Sequence, residues 1–120
     1  MTKDERQKVY EKYNGHCAYC GKELLLKDMQ VDHLVSKRDA ELGQAWWDEV
    51  ESFNNYMPSC RRCNHYKRAN SLETFRQMIE EIPKKLQRDN YIYKVALDYK
   101  LVEEKPHEIK FYFERVNNEK

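Results

Sequence analysis

The four cysteines, Cys17, Cys20, Cys60 and Cys63, fall into two Cys-x-x-Cys pairs. The short turn inside such a pair brings both sulfurs to the same side. Two pairs complete the tetrahedral four-sulfur cage that zinc prefers. Gly15 and Gly21 flank the first pair, where a tight turn needs relaxed backbone angles. A redox-dithiol reading needs a thioredoxin-like βαβ context, which this sequence lacks. An ion held by four protein sulfurs keeps no position open for substrate, so it supplies folding energy and not reactivity. Reactive groups must therefore come from nearby. The polar residues beside the knuckles are Asp32-His33, Asn55 five residues before Cys60, and Asn64 directly after Cys63.

Several elements have to position these groups. Thr2-Lys3-Asp4-Glu5 is a capping box that opens a helix to about Tyr13, with Val9, Tyr10 and Tyr13 inward, and Asn14-Gly15 stops it. Met29 to Val35 reads as a strand. The polar stretch from Ser36 to Asn54 reads as part helical, with Trp46-Trp47 packing it beneath the site. Tyr56-Met57-Pro58 is the return strand, ended by Pro58. The second knuckle then opens a helix carrying Asn64, His65, Tyr66, Lys67 and Arg68. Neighbours on a straight strand point to opposite faces, so Asp32 and His33 share one site only if the strand ends or twists there. Further on, Asn70 to Glu73 signals a helix start, and Leu72, Phe75, Met78, Ile79 and Ile82 form its apolar stripe. Pro83 interrupts that helix. A second is expected from about Lys84 with Leu86, Tyr93 and Leu97 on one face. The alternation of Ile109, Phe111 and Phe113 within 108–115 predicts a final strand.

Composition sets outer limits. The 120 residues make one domain of ordinary size, and 22 Lys plus Arg against 21 Asp plus Glu leave a net charge of +1. A mean hydropathy of −1.06 implies a thin core that needs a staple, yet two Trp, nine Tyr and four Phe argue against disorder. No stretch approaches the roughly 18 apolar residues of a membrane span. The first residues are followed by no apolar segment, so no secretory signal is expected and the protein is placed in the cytoplasm, where disulfides are rare. Three Gly and three Pro leave no glycine-rich phosphate loop. The net charge hides a local concentration: from Ser59 to Asn70 the chain carries Arg61, Arg62, Lys67 and Arg68 and no acid. Such a run is either a phosphate-contacting face or a solvated one.

The runs Cys17-Ala18-Tyr19-Cys20-Gly21, Val31-Asp32-His33-Leu34-Val35 and Asn55 through Lys67, taken in order, resemble a zinc-containing HNH endonuclease over about residues 1 to 75. The Asp-His pair and two asparagines nine residues apart are similar to the HNH domain of RNA-guided CRISPR effectors. The carboxy-terminal third is similar to the segment beyond the motif in small stand-alone phage and mobile-element members. The resemblance implies an α+β fold: a ββα-metal core over 1–70 with an N-terminal helix, stapled by a four-cysteine zinc site. A C-terminal helical extension over 71–120, ending in a short strand, would pack on that core as a single domain.

It also implies an enzyme that hydrolyses DNA, read as double-stranded, to 5′-phosphate and 3′-hydroxyl ends. His33 would be the general base, because imidazole titrates near neutral pH. Asp32 and Asn64 would hold one divalent cation, Mg²⁺ or Mn²⁺, through hard oxygens, with His65 an accessory ligand or phosphate contact. Asn55 would hold the loop and orient the histidine. Arg61, Arg62, Lys67 and Arg68 would lie along the phosphate backbone, with Lys37-Arg38 adding contacts. The alternative is a non-catalytic zinc-stabilised module that binds DNA or protein. A decayed enzyme should have lost Asp32, His33 or Asn64, and all three are present. A homodimer and a phage or mobile-element protein partner both stay open.

Overall fold

Thr2 Oγ1 accepts the Glu5 N–H at 3.1 Å and starts helix α1 (Lys3–Glu11), shorter than expected by the turn that leads into Asn14 and Gly15. This computed structural model describes residues 1–118; residues 119 and 120, the end of the expected extension, lie outside the described residues. Val9 is the fully buried residue of α1, and the Tyr10 hydroxyl reaches the Leu24 carbonyl at 2.6 Å. Gly15 has φ +77°, and a Cβ there would sit 2.8 Å from the Tyr10 hydroxyl oxygen, so the turn into the first knuckle tolerates no side chain.

Strand β1 (Gln30–His33) pairs antiparallel with β2 (Tyr56–Ser59), opposing Asp32 to Met57 and His33 to Tyr56. Pro58 does not end β2 as expected; the strand runs through it to Ser59. Its carbonyl accepts the Ala18 N–H at 2.8 Å, on the side away from β1. The nitrogen of a strand residue points the same way as its carbonyl, so the missing N–H costs the ladder nothing. Between the strands lie α2 (Lys37–Glu41), capped by Ser36, and α3 (Trp47–Val50), followed by a 3₁₀ turn at Phe53–Asn55. Trp46 and Trp47 do not pack this segment from beneath: they are 77% and 47% exposed. Helix α4 (Arg61–Lys67) begins at Cys60, whose sulfur accepts the Cys63 N–H in the N-cap position.

The chain forms two compact units, residues 1–72 with 110–120 and residues 73–109. In the first, the returning segment replaces the predicted final strand with a helix, Tyr112–Asn118. The Glu114 carboxylate accepts the Phe111 N–H at 2.9 Å, which turns the backbone into a helical start. The Tyr112 and Phe113 amides donate to the Tyr19 and Ala18 carbonyls, and Phe111 packs edge-on against Tyr19 at 5.6 Å. Burying Phe111 is worth about 2 kcal/mol, so its apolar partner is the first knuckle and not a neighbouring strand.

The second unit holds helical segments Leu72–Glu80, Ile82–Asp89 and Tyr91–Asp98, the first starting one residue before the boundary. Pro83 lies in the opening turn of the middle one, where a missing N–H is harmless. The single helix expected beyond Pro83 is two helices. Asn90 ends one and caps the next, its side chain accepting the Tyr93 N–H at 3.1 Å. Arg76 joins Glu73 to the Ile109 carbonyl within this unit. No described helix is long and apolar enough to cross a membrane.

Candidate functional site

The four cysteine sulfurs lie within 4.8 Å of one another, with Cys20 Sγ and Cys60 Sγ 3.9 Å apart. Four thiolates at about 2.3 Å from a tetrahedral zinc are spaced about 3.8 Å from each other, so the cage fits that ion. Backbone amides already serve the sulfurs: Cys60 N–H points at Cys17 Sγ and Cys63 N–H at Cys60 Sγ, both at 3.3 Å. The Cys17 thiol is held well below the usual range, first by its hydrogen bond with Cys63, and the Cys63 and Cys20 thiols are pushed up. Four sulfurs this close cannot all ionise against one another without a cation between them. The four sulfurs together could hold one metal ion.

A cleft of about 250 Å³ is lined by Asp32, His33, Asn64 and Arg68, with Lys37 and Arg38 at its rim. β1 ends at His33, so the alternation that would separate it from Asp32 is lost there, and both line the same cleft. Asp32 is 6% exposed. Its Oδ2 takes the Tyr19 hydroxyl at 2.5 Å and the Lys67 ammonium at 3.1 Å. Burial first, and then the Asp32 charge, hold the Tyr19 phenol far above its ordinary range, so it remains a donor. Asn64 donates through Nδ2 to Gln30 Oε1 at 2.6 Å, which fixes which way the amide faces. Asp32 Oδ1 and Asn64 Oδ1 take no hydrogen bond from any described residue. These two hard oxygens, on residues lining one cleft, suit a divalent cation.

His33 stands edge-on to Tyr56 at 5.3 Å, and Glu51 Oε1 lies 3.2 Å from its Nε2. Asn55 is buried and bonds the insertion, not the imidazole. It accepts from Val35 N–H at 2.8 Å and donates to the Val35 and Val50 carbonyls at 2.9 Å. Lys12 supports the same turn, its ammonium reaching the carbonyls of Phe53, Asn54 and Tyr56, and burial holds its pKa below the usual lysine range.

The basic run divides by position. Arg61, Arg62 and Arg68 are not buried, and Arg61 and Arg62 open α4. Lys67, expected beside them on a phosphate-contacting face, is 0% exposed and spends its charge on Asp32 and a further proton on the His33 carbonyl at 3.3 Å. No phosphate can reach it. His65 is exposed on α4 and does not line the cleft.

Sequence reasoning missed Tyr19, Gln30, Glu51 and the buried role of Lys67. Two signals were available. Gln30 lies two residues before Asp32, on the same strand face. Lys67 lies three residues beyond Asn64, on the same helical face, and so points where Asn64 points. Glu51 carries no motif.

Residues 17–70 match the family model described as HNH endonuclease. No curated protein and no solved structure matches the chain significantly.

Proposed function

We propose, on the match of residues 17–70 to the HNH endonuclease family model, that this chain is a metal-dependent endonuclease that hydrolyses phosphodiester bonds of double-stranded DNA. One observation carries the reading: a carboxylate, an imidazole and an amide from β1 and α4 line one cleft with three cationic side chains around it.

His33 takes the proton from the attacking water. Its place at the strand end puts it beside Asp32 without a turn between them. Asp32 Oδ1 and Asn64 Oδ1 would hold the cation, while Lys67 and Tyr19 keep the Asp32 carboxylate from rotating. A Mg²⁺ or Mn²⁺ ion held there would supply charge compensation for the reacting phosphodiester. Lys37, Arg38 and Arg68 attract the phosphate backbone at the cleft, and Arg61 and Arg62 extend that attraction along α4. Asn55 holds the insertion so that its two ends stay at the site. The cage supplies no chemistry; it ties the end of α1 to the start of α4.

Supercoiled plasmid, incubated with Mg²⁺, with Mn²⁺ and with chelator, tests this. Wild type should nick only with the divalent cation, and His33→Ala should lose nearly all cutting while still binding DNA. Undiminished cutting by folded His33→Ala removes the proposed base. Binding with no cutting under any cation leaves the zinc-stabilised binding module instead.

A further inference from the structure

The two nitrogens of His33 meet different surroundings. Nε2 is buried and has no hydrogen-bond partner, although Glu51 Oε1 lies 3.2 Å away. The carboxylate sits off the line along which a ring N–H donates. Nδ1 is not enclosed in this way, and no described residue bonds to it. His33 lines the cleft, and Nδ1 is its nitrogen that is not enclosed.

Glu51 is placed and not merely nearby. Asn55 donates to the carbonyl of Val50, the residue before it, at 2.9 Å. Its Oε2 lies 3.5 Å from the Tyr56 hydroxyl, and Tyr56 opposes His33 across the two strands. Lys37 Nζ stands 3.9 Å from Oε1 and offsets part of its charge. A carboxylate against one imidazole nitrogen favours the tautomer that carries its proton there, and leaves the other nitrogen with the lone pair. The Glu51 side chain is 45% exposed, so a small rotation brings it into line, as catalytic hydrogen bonds commonly tighten once substrate is bound.

We propose that Glu51 is a positioning residue for His33: it accepts the Nε2 proton, locks the ring, and leaves the Nδ1 lone pair facing the cleft. Only the use of that lone pair as the catalytic base rests on the nuclease reading; the pairing itself does not. Asn55 then acts on His33 through the segment that carries Glu51, without touching the ring.

The test uses the zinc-loaded full chain and the variants Glu51→Ala and Glu51→Gln, with His33→Ala to assign the signal. Two-bond ¹H–¹⁵N correlation of the imidazoles, recorded where the rings are neutral, reads the tautomer without any need for cutting. Wild type and Glu51→Gln, whose amide oxygen still accepts, should show His33 protonated on Nε2. In Glu51→Ala the two ¹⁵N shifts should move toward each other as both tautomers populate. In single-turnover cleavage, Glu51→Ala should slow the cutting step roughly ten- to hundredfold. DNA affinity should stay within about twofold, and Glu51→Gln should lie between wild type and Glu51→Ala. His33 shifts that are the same in Glu51→Ala and wild type overturn the pairing, and an unchanged cutting rate in Glu51→Ala overturns the positioning role. Shifts that move as expected in a protein that cuts no DNA uphold the pairing and sink the nuclease reading alone.

Discussion

Lys67 and Asp32 form the pair in which losing one partner alone should cost most. The ammonium is 0% exposed, the carboxylate is 6% exposed, and they stand 3.1 Å apart. At an effective dielectric constant of about 20 their attraction is about 5 kcal/mol before desolvation is charged against it. Lys67→Met keeps the volume of the stem and deletes the charge, leaving Asp32 with only the Tyr19 hydroxyl and the His33 carbonyl without its donor. An uncompensated buried charge of this kind destabilises by about 3–5 kcal/mol, whereas removing both partners is far milder. Urea unfolding at saturating zinc should therefore show both Lys67→Met and Asp32→Asn as strongly destabilised, since each leaves the other charge buried without its partner. The double variant should lose less stability than the two single losses added together, with a coupling of at least about 2 kcal/mol. Additive effects, or a Lys67→Met cost below about 1 kcal/mol, would refute the claim that this lysine is committed to the carboxylate. That outcome would return it to the phosphate-contacting face.

The same geometry sets three other outcomes. Cys60→Ser, or chelation of the wild type, should unfold the first unit and not merely slow turnover, measured by far-ultraviolet circular dichroism alongside zinc content; a folded, zinc-loaded Cys60→Ser would count against the four-sulfur cage. Asn55→Ala strands the Val50 carbonyl and both polar groups of Val35, so it should cost about 2–4 kcal/mol in urea unfolding. A loss under about 0.5 kcal/mol would mean the insertion is held elsewhere. Arg61→Ala with Arg62→Ala should weaken DNA binding and lower the slope of log affinity against log salt by up to about two. An unchanged slope assigns both arginines to a solvated face.

Much of the candidate site's grouping was readable from residue types at their spacings: Asp32, His33 and Asn64 line one cleft and the four cysteines cluster. Two Cys-x-x-Cys turns have one common use when paired, and Asp32, His33 and Asn64 flank them in chain order. What escaped depended on direction, which composition does not carry. The run from Arg61 to Arg68 looked like one basic face, but a helix points its residues all round, and the charge at Lys67 turns inward. Trp46 and Trp47 looked like core because they are large and apolar, yet they are exposed, and size alone does not bury a side chain. Phe111 and Phe113 alternate like a strand, but their partner is the Tyr19 ring, and a glutamate three residues on from Phe111 converts the stretch to helix. Asn90 split a helix that apolar spacing had joined, because a cap overrides a stripe.

The clasp made by Asn55 has a consequence for how this protein could change over time. The excursion leaves the sheet after His33 and rejoins it at Tyr56, and one amide seals both ends. Between those ends, Ser36, Lys37 and Arg38 line the cleft and Glu51 stands beside His33, while Gly43, Trp46 and Trp47 line no part of it. Material added or lost around Gly43 and the exposed tryptophans would leave the sheet register and the sulfur cage where they are. Even doubling such a loop costs only about 0.6 kcal/mol of closure entropy. The residues that line the cleft and the outer surface of the excursion are therefore free to evolve at different speeds.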